Sequence, residues 1–82
     1  MNQHELVNIV AISLGYTIRG KSSTEWVHIS NGKRRILSYE YMIFCDSYAV
    51  LESNNELHTS LNEQQFLEIA RKVFDEQSRT GG

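Results

Sequence analysis

Hydrophobic positions along this chain keep one period at its two ends and another in between. Near the C-terminus, Phe66, Leu67, Ile69, Ala70, Val73 and Phe74 recur at three- and four-residue spacing, the pattern of a helix that buries a single stripe. Ser60-Leu61-Asn62-Glu63 precedes that run. A serine hydroxyl accepting from the backbone N–H of Glu63, with the Glu63 carboxylate reaching back, would satisfy two of the donors that every helix start leaves open. The spacing therefore predicts a helix over 61–77 capped by Ser60, its stripe Phe66, Ile69, Ala70 and Val73 packed on a sheet. At the other end, Leu6, Ile9, Val10 and Leu14 also fall at helical spacing and predict a helix over 2–14. Asn2 and Glu5 are placed to form its capping pair, and Gly15 to supply the left-handed residue that ends it. Val7, Ile9, Val10 and Ile12 are β-branched, so a strand is the competing reading there.

Between the ends the pattern alternates. Residues 16–19 read as a short strand and residues 20–24 as a loop. Asn31-Gly32 separates two strand-like runs, 25–30 and 33–39, and predicts a two-residue type I′ hairpin in which both turn residues take positive φ. That register sets Val27 opposite Ile36 and Trp26 opposite Leu37. Val27, Ile29, Ile36 and Arg34 then share one face; Trp26, His28, Leu37, Tyr39 and Arg35 share the other. Neither face is purely polar, so the pattern leaves open which one meets the helices. Further strands are read at 41–45 and 48–51 around an Asp46-Ser47 turn, followed by a polar loop at 53–55. The class that results is α+β, a small antiparallel sheet of three to four strands bracketed by an N-terminal and a C-terminal helix. Residues 1–77 are expected to form a single domain and 78–82 a frayed tail without an apolar anchor.

Composition narrows the class without naming a function. The chain has 82 residues, 40% of them hydrophobic, with one Trp, four Tyr and three Phe to fill one core. A domain this small also favours self-association, so a homodimer is among the expected states. Cys45 is the only cysteine, which excludes an intramolecular disulfide and fits a reducing, cytoplasmic location. No basic leader or bilayer-length apolar run suggests contact with a membrane. Net charge is −2, unevenly spread. Residues 1–40 hold five basic and three acidic side chains, and residues 41–82 hold three basic and seven acidic, so the halves carry +2 and −4. A duplex-binding domain usually gathers a larger positive excess.

Candidate chemistry is sparse. His4, His28 and His58 lie far apart, with no histidine pair and no carboxylate at ligand spacing, so no metal site is expected. Cys45 follows Met42-Ile43-Phe44 and reads as a small core hydrophobe. Gly20-Lys21-Ser22 lacks the first glycine of a phosphate loop. Glu52/Glu56 and Asp75/Glu76 read as solvated charge. No catalytic residue, cofactor or metal is assigned, and the chain is read as a non-enzyme. The one cluster able to meet an anion is basic: Lys33, Arg34 and Arg35, with Arg19 and Lys21 as possible sheet neighbours. Alternation sends Arg34 to the face opposite Lys33 and Arg35.

The stretch from Glu5-Leu6-Val7 through Leu14-Gly15-Tyr16-Thr17-Ile18-Arg19, followed by Gly32-Lys33-Arg34-Arg35, loosely resembles the start of HicA-type toxins. Those are small ribonucleases with a double-stranded-RNA-binding-like fold. The resemblance implies an α–β–β–β–α order and contact with RNA. It departs from the family where a Gly-Ser-His sets the catalytic histidine, since Ser22-Ser23-Thr24 stands there, and where Asn62-Glu63-Gln64-Gln65 replaces a lysine-rich helix start. Two functions follow as expectations. The first is a non-enzymatic module that binds another protein, of the kind found among small inhibitors such as phage anti-defence and immunity proteins. The second is a nucleic-acid-binding domain of double-stranded-RNA-binding-like architecture.

Overall fold

The computed structural model describes residues 3–20 and 26–80. Helix α1 (Gln3–Ser13) leads into five strands, β1 (Thr17–Arg19), β2 (Val27–Asn31), β3 (Arg34–Met42), β4 (Ser47–Glu52) and β5 (Leu57–Leu61), and helix α2 (Glu63–Thr80) closes the chain. The strands form one antiparallel sheet in the order β1-β2-β3-β4-β5, each beside its neighbour in sequence. The α+β class is as read from the pattern; the sheet has five strands rather than three or four. Residues 33–39 and 41–45, read as separate strands, largely merge into the nine-residue β3, and the strand after the 53–55 loop was not foreseen.

Both helices pack on one face of this sheet. Val7 and Ala11 of α1 and Phe66, Ala70, Val73 and Phe74 of α2 join Val27, Ile29, Leu37, Tyr39, Tyr48 and Val50 in a single buried cluster. Phe66 lies at its centre, stacked on Tyr48 with ring centroids 4.2 Å apart and tilted against Tyr39 at 5.1 Å. The Tyr39 hydroxyl reaches α1 and donates to Asn8 Oδ1 at 2.8 Å, which gives the one polar residue amid Leu6–Ile12 its partner. Burial pushes the Tyr39 phenol up to about 12 and raises that of Tyr48 as well.

A bulge decides which face of the β2–β3 hairpin is the core face. Asn31 pairs with Arg34, so the loop is Gly32-Lys33, one residue later than the Asn31-Gly32 turn predicted. Only Gly32 takes positive φ there (+65°), the arrangement of a turn with glycine first rather than one needing two left-handed residues. Continued without interruption, that register would set Leu37 beside His28. Instead the pairing shifts after Ser30↔Arg35 and resumes at Ile29↔Leu37, leaving Ile36 as the extra residue. Leu37 and Tyr39 thereby join Val27 and Ile29 toward the helices, and Ile36 is buried too.

The helix ends also differ from expectation, for a common reason. Leu61 is buried in the sheet, opposite Tyr48, so β5 runs through the predicted cap and one residue past it. The cap is Asn62: its Oδ1 accepts from the N–H of Gln65 at 2.8 Å, and Gln65 Oε1 accepts from the N–H of Asn62 at 2.9 Å. This is the same reciprocal device, moved two residues on. Ser60 instead sits at φ +56° in the irregular pairing of β4 with β5. At the far end α2 remains helical through Thr80, beyond the predicted stop. Helix α1 ends as foreseen, with Gly15 at φ +86° and two backbone bonds, Gly15 N–H to Ile12 O and Tyr16 N–H to Ala11 O, that close it. Its buried stripe, however, is Val7 and Ala11. Leu6, Ile9, Val10 and Leu14, whose spacing predicted the helix, are 39–50% exposed.

Candidate functional site

Among the described residues, the second face of the sheet carries no helix. Strand alternation places Thr17, Arg19, His28, Ser30, Arg35 and Ser38 on it, because Arg19 pairs with His28, Thr17 with Ser30, Ser30 with Arg35 and His28 with Ser38. Thr17, Arg19, His28, Ser30, Gly32, Lys33 and Arg35 line an open concavity of about 510 Å³. Three permanent cations thus share one surface with a histidine and two hydroxyls, and none of these lining residues is acidic. Glu40 lies further along β3 on the same face, opposite Ala49.

Within this surface Arg35 differs from the other two cations. Its guanidinium lies across β4 and the loop beyond, donating to the carbonyl oxygens of Leu51 (3.0 Å) and Glu52 (3.1 Å) and to Asn55 Oδ1 (3.2 Å). It also meets Ser38 Oγ at 3.4 Å, and Ser38 Oγ lies 2.7 Å from His28 Nδ1. Ser38 thus links Arg35 to the histidine. These acceptors are neutral, so Arg35 keeps its charge while its position is fixed. Arg19 and Lys33 are exposed and make no ion pair with any described residue.

Of the five residues singled out from the sequence, the fold brings Arg19, Lys33 and Arg35 together. Arg34 is exposed but pairs with Asn31 and takes no part in the concavity. Lys21 lies outside the described residues. His28 was missed as a member because its place beside Arg19 depends on the β1–β2 register, for which no local pattern speaks.

A second group was also missed. Glu52 falls opposite Leu37 and is buried, an unfavourable place for a carboxylate unless it is paired. His58 supplies the partner: its Nε2 lies 2.5 Å from Glu52 Oε2 and 3.9 Å from Glu56 Oε2. One ligand atom from each of Glu52, Glu56 and His58 falls within 4.8 Å of the others, a grouping made by the fold that the spacing along the sequence did not announce. The tight turn between β4 and β5 folds residues 52, 56 and 58 onto one corner. Two carboxylates and an imidazole are oxygen and nitrogen donors of the kind a divalent cation takes, but they lack the thiolates of a structural zinc site.

The β3–β4 turn corrects another expectation. Cys45 is exposed, as are Ile43 and Phe44, because residues 43–46 form the turn instead of a strand. Cys45 Sγ lies 2.9 Å from Ser47 Oγ. The Tyr41 hydroxyl donates to the Asp46 carboxylate at 2.7 Å, and that bond holds the phenol up at about 12.

No protein-family model matches this chain, and neither the curated proteins nor the solved structures return a match. No helix among the described residues is long and apolar enough to cross a membrane.

Proposed function

We propose that this chain is a non-enzymatic binding module whose uncovered sheet face docks on an acidic surface of another protein. The observation that carries the reading is the gathering of Arg19, Lys33 and Arg35 around one open concavity without a lining carboxylate. Such a field accelerates encounter with a negatively charged partner and selects its orientation. Backbone anchorage of Arg35 favours this role as well, since a cation already held in place loses little conformational freedom on binding. On α2 the cations Arg71, Lys72 and Arg79 are interspersed with Glu68, Asp75 and Glu76, whereas the concavity has no lining carboxylate; an inhibitor of a larger macromolecule is one protein that would work in this way.

Affinity capture with wild type and with the R19E/K33E variant tests it, Arg35 being spared because its loss would also loosen the sheet. A set of acidic proteins retained by wild type and lost by the variant, at unchanged circular dichroism, is the expected result. Identical partner sets would remove the basic face from the account. The second reading, nucleic acid, draws on the same cations and on the placing of both helices on one sheet face. It is read in parallel by fluorescence anisotropy with a short labelled RNA duplex. Binding there, with a log–log salt slope of about three, would favour it over a protein partner.

A further inference from the structure

Helix α1 is apolar on the side turned away from the core as well as on the side turned toward it. Leu6, Ile9, Val10, Ile12 and Leu14 are 39–63% exposed, and residues 6–14 contain no charged side chain. A helix apolar all round is usually covered on all sides. Between α1 and α2 runs a groove of about 480 Å³, floored by Val7, Val10, Leu67, Ala70 and Phe74. Its rim on α2 carries two charges one helical turn apart, Arg71 and Asp75. Neither forms a salt bridge with any described residue.

A rim with one cation and one anion at i and i+4 is complementary to itself. When two such helices run antiparallel about a twofold axis passing level with the midpoint of the pair, each arginine faces the other copy's aspartate. The charge-free face of α1 brings no like charges together in the same closure. Size permits it too. Two helices side by side, each about 10 Å wide and the shorter about 16 Å long, present a flat footprint of about 300 Å², which side-chain relief and the longer α2 enlarge toward the roughly 800 Å² per partner of a standard interface. We propose that two copies of this chain close their α1/α2 grooves on one another, the outer face of α1 forming the dry centre and Arg71 of each copy meeting the partner's Asp75.

The dimer leaves both uncovered sheet faces pointing outward, but it does not depend on what those faces bind. Sedimentation equilibrium of the full chain over a range of micromolar concentrations tests it. Wild type is expected to sediment as a dimer. R71D and D75R, both at exposed positions, each weaken association about tenfold by setting like charges opposite one another, and the R71D/D75R double swap restores it. V10E, in the groove, abolishes it, with circular dichroism confirming that the helices persist. A wild-type monomer at every concentration overturns the proposal and gives the groove to a different occupant. A dimer indifferent to R71D, or one that the double swap fails to restore, overturns the pairing and with it the proposed interface.

Discussion

Ser60 holds φ +56° within a strand, a conformation that costs a side-chain-bearing residue about 1 kcal/mol or more and costs glycine nothing. Ser60→Gly is therefore expected to leave stability unchanged or raise it by up to about 1 kcal/mol, and Ser60→Ala to remove no cap. Asn62→Ala removes the true cap and should cost about 1 kcal/mol. Urea melts of the three variants distinguish the two assignments, and a larger loss for Ser60→Gly than for Asn62→Ala would restore Ser60 as the cap. Phe66, fully buried between Tyr48 and Tyr39, should be far more sensitive. Truncation to alanine is expected to cost about 3–5 kcal/mol, a large share of the stability a domain this small can hold. Tyr39 adds a pH dependence. Its phenol ionises near 10 in the unfolded chain and at about 12 in the fold, so the stability from burying the neutral form is complete below pH 10 and is lost as pH rises from 10 toward 12. The alkaline fall in melting temperature should accordingly be shallower in Tyr39→Phe than in wild type.

Individual elements were legible to the extent that their signals were local. The stripe of α2 and the glycine end of α1 are written in residues a turn apart, and both appear where the pattern placed them. Strand β5 was not legible, because Leu57-His58-Thr59-Ser60-Leu61 has apolar residues only at its ends and Ser60 three residues before Glu63 imitates a helix start. What decides its conformation is the burial of Leu61 against Tyr48, a contact made across the sheet. The β2–β3 face was likewise settled by a bulge that no turn rule anticipates. Among the basic residues, the adjacency of Lys33 and Arg35 could be read directly, whereas the joining of Arg19 and His28 to them required the sheet. Glu52 and His58 illustrate the energetic side of such pairing. His58→Ala should destabilise the β4–β5 hairpin by about 2–3 kcal/mol by stranding a buried carboxylate, and adding Glu52→Gln should recover part of the loss. Failure of the second substitution to recover any stability would mean that the carboxylate finds water without its partner.

At the scale of the whole molecule, charge and shape divide along the sheet. One face and its helices bury most of the core side chains, and the other collects Arg19, Lys33 and Arg35. The order of the strands has a consequence of a different kind, for the route by which the chain folds. Every strand pairs with its neighbour in sequence, so the sheet grows by closing loops of a few residues, each of them entropically inexpensive. The most distant closure is the docking of α1 on α2, near opposite ends of the chain. Refolding should thus begin with the β3–β4 hairpin and the α2 helix that stacks on it, with α1 joining last. The chain also contains no proline, so no prolyl isomerisation is present to add a slow phase. Stopped-flow refolding followed by Trp26 fluorescence should be complete in one exponential well within a second, and truncating Val7 to alanine should speed unfolding while leaving the refolding rate nearly unchanged.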